Sequence, residues 1–329
     1  MYYTNNTVDT TTKDMLSEEL LVKTTKQEIE SKIFDGIFGI FTRPMLETGQ
    51  QWEEIEVGNL TSDDFDKEGA EALTRKKMNF KSLYHKINRR KTFKATVSDA
   101  QVKMSMLNTS NMATLASAIT NELYNSSAIE DFEAFKQLLV DVANGQKVMT
   151  ICDMNENGDN MDALIKAIRT LATNMTLPST YYNYSGFKKA FNNKEDLVLI
   201  IDSATRARLD VDSLASAFNM EKKDLVSNII VIDEMPTIEY AGINTTKQKD
   251  IDIGEATQIA IHKYNAGGDE TVTGKAFAML VDKKALIRDP VEREMTEQYN
   301  AKGRFRNYYL HATDVLSYST LKNAIVFVD

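Results

Sequence analysis

The chain has one cysteine, Cys152, so no disulfide can close within it. Its three histidines, His85, His262 and His311, are scattered, which leaves too few ligands for a zinc site of the Cys/His type. Four prolines and fourteen glycines exclude a fibrous or linker-dominated chain. No run approaches the roughly 20 apolar residues that cross a bilayer. The opening Met1-Tyr2-Tyr3-Thr4-Asn5-Asn6 has neither a basic leader nor a hydrophobic stretch, so neither a membrane span nor signal-led export is expected.

Of the 329 residues, 42% are hydrophobic and 26% charged, a composition that buries a core and folds. The net charge of -9 argues against nucleic acid as the main partner, but it conceals a segregation. From Glu47 to Glu71 the carboxylates Glu47, Glu53, Glu54, Glu56, Asp63, Asp64, Asp66, Glu68 and Glu71 stand against Lys67 alone. From Ala72 to Ser98 there is no carboxylate, while Arg75, Lys76, Lys77, Lys81, Lys86, Arg89, Arg90, Lys91 and Lys94 follow one another.

Residues 1 to 28 hold few large apolar side chains and read as an arm that needs another surface to become ordered. The apolar run from Ile33 to Phe41 ends at Arg43-Pro44. The two charge blocks, residues 45 to 98, alternate polar and apolar positions at Trp52, Ile55, Val57 and again at Phe80, Leu83, Phe93, Ala95, Val97. This pattern predicts a long two-stranded excursion with an irregular tip near Thr61 to Gly69. From Asn111 the spacing changes to three and four: Met112, Leu115, Ile119, Leu123, Ile129, Phe132, Phe135, Leu139, Val142. That predicts an amphipathic helix ending at Asn144-Gly145, with Asn125-Ser126-Ser127 interrupting the stripe as a kink or a break.

Beyond it the pattern predicts strands at 147–152, 196–201, 228–232, 276–281, 307–311 and 323–328, with helices at 160–175 and 209–218. Continuous apolar strands between helices indicate mixed helix and sheet with a largely covered sheet.

Three motifs invite chemistry and fall short of it. Asp153-Met154-Asn155-Glu156-Asn157-Gly158 matches half a calcium loop, but its twelfth position is Leu164 where a bidentate Glu is required. Between Gly268 and Gly274-Lys275 lie five residues rather than four, and Ala276 stands where a phosphate loop needs Ser or Thr. Cys152 and His311 read as packed in strands. No catalytic constellation, cofactor site or metal site is assigned, and an enzyme is not expected. The basic stretch 75 to 94, with Phe80, Tyr84 and Phe93 interleaved, could neutralise phosphates and stack on bases. The acidic block beside it weakens that reading and favours a meeting of opposite charges between copies of the chain.

Several blocks carry a resemblance. They are Leu197-Val198-Leu199-Ile200-Ile201-Asp202, the run Leu209 to Met220, Asn228-Ile229-Ile230-Val231-Ile232-Asp233, Glu122-Leu123-Tyr124-Asn125-Ser126, Lys136 to Asp141, Met175-Thr176-Leu177-Pro178, Asn307-Tyr308-Tyr309, and Leu316-Ser317-Tyr318-Ser319 leading into Asn323 to Val328. Together, over about residues 75 to 329, they resemble the major capsid proteins of phi-twenty-nine-like podophages.

The resemblance implies an α+β chain with the Hong Kong ninety-seven type fold of tailed-phage capsids. By analogy residues 1–41 form the N-terminal arm, 42–98 the E-loop and 99–150 a peripheral domain with its spine helix. An axial domain would span 151–305, and 306–329 would return to the peripheral domain. It further implies self-assembly into pentamers and hexamers, in an icosahedral or prolate shell built in the host cytoplasm around double-stranded DNA. A scaffolding protein and a portal would be further partners, with no membrane.

By the resemblance, one member of the family continues into an immunoglobulin-like domain past the last strand, where this sequence ends at Asp329, and passes quickly from the strand near Asp233 to that near Ala276, where a polar segment is inserted here at about 235–275. The residues expected to meet opposite charges on neighbouring subunits are Glu53, Glu54, Glu56, Asp63, Asp64, Arg75, Lys76, Arg89, Arg90 and Lys91. Reversing Arg89-Arg90-Lys91 is expected to block assembly with folding intact. The alternatives are an encapsulin-type compartment shell and a DNA-binding protein using the 75–94 segment.

Overall fold

The computed structural model describes residues 36–44, 46–47, 49–65, 67, 69, 75–99, 109–144, 150–153, 161–212, 228–235, 243–252, 258–264, 270–272 and 276–328. The chain forms two compact units. One comprises Met1–Gly36, Arg90–Asp131 and Glu292–Thr313, the other Ile37–Arg89, Phe132–Val291 and Asp314–Asp329.

The second unit is built on a mixed sheet of eight strands. Its order is β6 (Asn228–Ile232), β5 (Leu197–Asp202), β10 (Ala276–Asp282), β13 (Ala324–Val328), β4 (Thr150–Asp153), β8 (Gln258–Tyr264), β7 (Ile243–Asp252), β9 (Glu270–Val272). The β5–β6 and β13–β4 pairs are parallel and the other pairs described are antiparallel. The central strands are apolar at successive positions because both faces are covered. On one face Val198, Ile200, Met279, Val281, Val326 and Val328 pack with Phe135, Leu139 and Val142, and with Phe38 and Phe41. On the other, Leu199, Ile201, Leu280, Ile325 and Phe327 pack with Leu164, Ile168 and Leu171 of helix α2 (Met161–Met175). Cys152 is fully buried in this second layer, a small core residue as the sequence predicts.

The helix predicted from Asn111 is one continuous element, α1 (Thr109–Asn144), with no break at the polar interruption. Asn125 and Ser127 lie on its buried side, and the buried positions step by four through Leu123, Ser127, Asp131 and Phe135. Ile129 therefore falls outside the stripe and is 51% exposed, contrary to the sequence pattern. The chain segment before it is also anchored differently from the expected arm. Phe38 and Phe41, flanking a 3-10 turn at Gly39–Phe41, are buried and stack on Phe135 at 4.1 and 5.4 Å.

Three further differences come from polar strands. The polar segment at about 235–275 supplies β7, β8 and β9, which extend the sheet beyond β4. Their sequences lack the apolar continuity of the centre, so no strand was expected there. Strand β11 (Leu286–Asn300) is likewise unforeseen, and β12 (Phe305–Tyr318) is far longer than the predicted 307–311. Helix α3 (Ser203–Asp212) begins before the expected 209, and residues 213–227 lie outside those described. The calcium-like run after Asp153, and both Gly267-Gly268 and Gly274-Lys275, lie outside them too.

In the first unit the sheet has the order β11, β12, β3, where β3 is Arg89–Ser98. His311 sits in its middle strand, its Nδ1 3.1 Å from Thr92 Oγ1 and its Nε2 3.1 Å from Thr296 Oγ1, so both ring nitrogens are occupied within the sheet. Glu130 and Asp131 of α1 pair with Lys91 at 2.9 Å and Arg293 at 3.0 Å, which ties the helix to one face of this sheet.

Candidate assembly surface

The acidic and basic blocks meet in a hairpin. Strand β1 (Gln51–Val57) pairs antiparallel with β2 (Phe80–Lys86), bringing Glu54 opposite Leu83, Trp52 opposite His85 and Val57 opposite Phe80. The predicted excursion ends at Lys86, because the next residues are fixed elsewhere. Asn88 donates through Nδ2 to Leu316 O at 2.6 Å and accepts Leu316 N at 3.0 Å, while Arg89 pairs with Asp314 at 2.9 Å. Strand β3 therefore belongs to the β12 sheet rather than to the hairpin.

Side chains alternate between the two faces of the hairpin, and the inward face is the polar one. Glu54, 7% exposed, and His85 are buried; Trp52, Glu56 and Leu83 are partly so. His85 stacks on Trp52 at 4.7 Å and its Nδ1 lies 2.8 Å from Ser317 Oγ. Its Nε2 faces Glu54 Oε2 across 3.5 Å, at the long limit of hydrogen bonding. Lys322 reaches both Glu54, at 3.1 Å, and Glu56, which also pairs with Lys188 at 3.2 Å.

Burial alone would push the Glu54 carboxyl up. Hydrogen bonding from His85, Ser319 and Lys322, with the Lys322 charge, instead holds it down at about 2. Burial opposes the Lys322 ammonium too, but Glu56 and Glu54 raise it above its ordinary value.

The outward face carries Glu53, Ile55 and Val57 from β1 with Phe80, Ser82 and Tyr84 from β2. Phe80 is 62% exposed, and Leu60, Met78 and Phe65, which is 87% exposed, are also exposed in the segments beyond the paired strands. Glu53 hydrogen-bonds the Tyr84 phenol and, with its charge, raises it above the usual range. At the tip Lys76 pairs with Asp63 at 2.7 Å. Where the segment meets the body, Gly58 is closely packed: a Cβ there would stand 3.0 Å from the Phe187 ring, which would have to give by a few tenths of an ångström.

These placements show which of the expected contact residues already have partners within the chain. Glu54, Glu56 and Arg89 are committed within their own chain, in buried or half-buried pairs that cannot turn to a neighbour without leaving a charge unpaired. Lys91 is held by Glu130, and Asp63 and Lys76 by each other. Glu53, Asp64, Arg75 and Arg90 are exposed. Sequence reasoning missed Lys322, Lys188, Asp314 and Ser317, which lie 130 to 270 positions away and carry no local signal. The outward apolar face did have one, the alternation at Ile55, Val57 and Phe80, though alternation alone turns such positions inward.

Beneath the hairpin a cleft of about 230 Å³ is lined by Glu56, Lys188, Asn192, Asp282, Lys322 and Asn323 among others. Burial raises the Asp282 carboxyl there, although Asn192 donates to it at 2.6 Å. Among the described residues no group of three or more His, Cys, Asp and Glu is arranged to hold a metal ion, and no helix is long and apolar enough to cross a membrane.

The fold is that of phage capsids. A chain in the capsid structure of Staphylococcus phage Andhra superposes with a TM-score of 0.66 at 14% identity, covering 93% of this chain and 87% of that one. One in the capsid structure of the cyanophage P-SCSP1u does so at 0.56 and 11%, covering 92% and 90%. This is the tailed-phage α+β capsid fold expected from the sequence.

Closer kinship lies in sequence. The chain is 30% identical over 309 residues to the major capsid protein of Bacillus phage GA-1, covering 92% of this chain and 57% of that protein. To that of Bacillus phage PZA it is 29% identical over 294 residues, covering 88% and 57%. It matches the family described as Phi29-like phage major capsid protein over residues 4–328, and it belongs to that family. The chain spans 57% of the length of these relatives.

Proposed function

We propose that the protein is the shell subunit of a tailed-phage head, assembling with copies of itself into pentamers and hexamers around double-stranded DNA. The observation that carries this reading, beside family membership, is the hairpin. Its inner face is pinned to the body by buried charges, so its outer face, with Ile55, Val57 and Phe80 exposed, is presented to a neighbour as a fixed surface. Apolar burial supplies the attraction, and the exposed Glu53, Asp64, Arg75 and Arg90 supply orientation.

In this assignment residues 42–98 act as the E-loop and α1 as the spine helix. The subunit is a virion component, assembled in the host cytoplasm with a scaffolding protein and a portal as further partners. Its contact with the packaged DNA is weak and non-specific, as suits a net charge of -9. Each interface is modest, and a closed shell multiplies it.

Overexpressed chain, viewed by negative-stain microscopy with and without the neighbouring scaffold gene product, is expected to form closed particles. Phe80→Asp is expected to abolish them while leaving the far-ultraviolet circular dichroism unchanged. A monomer that binds DNA with strong salt dependence and forms no particles would overturn the reading, and particles that enclose a cargo enzyme would turn it toward an encapsulin-type shell.

A further inference from the structure

The cleft beneath the hairpin is lined by some charges that are already matched and by some groups that are not. Lys188 and Lys322 are tied to Glu56, and Lys322 also to Glu54. Asp196 is likewise held by Lys283 and accepts from Asn193 Nδ2 at 3.2 Å. Four of the lining residues, Asn192, Asp282, Leu321 and Asn323, are buried.

Three of these form one directed hydrogen-bond chain. Asn323 Nδ2 donates to Asn192 Oδ1 at 2.6 Å, and Asn192 Nδ2 donates to Asp282 Oδ2 at 2.6 Å. An ionised carboxylate only accepts, so Asp282 fixes the direction of both amides. The consequence lies at the far end, where Asn323 Oδ1 is buried and receives no donor. The backbone holds the chain in place, since Asp282 N–H donates to Asn323 O at 3.0 Å and Asn192 N–H to Met175 O at 2.9 Å.

Asp282 is also short of compensation. Its oxygens accept from Asn192 and from the Lys284 N–H at 2.6 Å, and the charges of Lys322 and Arg43 act on it. Burial nonetheless raises its carboxyl above the ordinary value. The carboxylate lacks positive charge and the amide oxygen lacks a donor, and one cationic donor supplies both. Beside them the Phe191 ring, 64% exposed, and the buried Leu321 offer an apolar wall.

We infer that the cleft is a binding site for an organic ammonium ion, a primary amine on a short alkyl stem. The ammonium donates to Asp282 and to Asn323 Oδ1, and the stem lies along Phe191 and Leu321. At about 230 Å³ the space holds a chain of a few carbons rather than a larger ligand. Lys284, exposed in the cleft lining, sets the selectivity. Its charge opposes a second cation on the ligand, so a monoamine is preferred to a diamine. The site does not depend on the assembly reading, and neither fails with the other.

The test is titration of the full chain with n-butylammonium, followed by ligand-observed nuclear magnetic resonance, with n-butanol and putrescine as comparisons. Saturable binding of the monoamine is expected, with the alcohol binding about tenfold more weakly, the worth of one charge-assisted hydrogen bond. Asp282→Asn, which keeps the shape of the side chain, is expected to lose the preference for amine over alcohol. Lys284→Ala is expected to strengthen putrescine binding more than n-butylammonium binding, a gain that a merely structural role would not produce. Phe191→Ala, at an exposed position, is expected to weaken the monoamine with the melting temperature unchanged, which keeps the test open even where Asp282→Asn fails to fold.

The absence of saturable amine binding would overturn the inference, as would equal affinity for amine and alcohol, or unchanged selectivity in a folded Asp282→Asn chain. Wild-type chain that binds putrescine as tightly as n-butylammonium would overturn the role given to Lys284.

Discussion

Glu54 shows what a single side chain does at the root of the hairpin. Its folded carboxyl sits at about 2 against an ordinary 4.5, so the fold favours the charged form. The stability it contributes is complete above about pH 4.5 and is lost as pH falls toward 2. Urea unfolding of the wild type should therefore show a steeper loss of stability through that window than Glu54→Gln does. Parallel curves would refute the assignment.

Arg89 and Arg90 are a second contrast, adjacent in sequence and opposite in role. Arg89 is buried against Asp314, so Arg89→Ala should lower stability by about 3–5 kcal/mol, as when one partner of a buried pair is removed. Arg90→Ala, at an exposed position, should stay within about 0.5 kcal/mol in the same denaturant titration. Reversal of Arg89-Arg90-Lys91 as a block would mix an unfolding effect with an assembly effect, so the three positions are to be tested separately.

Among the elements, α1 shows how far periodicity can be trusted. A 36-residue helix extends about 54 Å at 1.5 Å per residue. Its apolar spacing was legible, but the face it buries was not, because Ser127 and Asp131 occupy buried positions that a hydrophobic pattern leaves blank. Phe135 is the anchor, fully buried between the sheet and the rings of Phe38 and Phe41. Phe135→Ala is expected to cost about 3–5 kcal/mol through lost transfer energy and the cavity left behind, whereas Ile129→Ala, half exposed, should cost well under about 1 kcal/mol. Calorimetric melting of both variants checks this, and equal shifts would contradict the helix face described. The hairpin is the converse case. The strands were legible from alternation, and their orientation was inverted by partners distant in sequence.

For the whole molecule, the proposed assembly surface is one that the chain builds through contacts distant in sequence. The hairpin face is apolar and exposed because the polar face is held by Lys322 and Lys188.

What the sequence determined by itself was the class of molecule: a foldable α+β chain whose single cysteine closes no internal disulfide, with its buried strands, its long helix and its family blocks. Those follow from local composition and period, which act between near neighbours. The tertiary structure alone decided which charges are spent within the subunit and which remain to meet another. Pairing depends on distance in space, and Glu54 with Lys322, or Arg89 with Asp314, lie more than 200 residues apart along the chain.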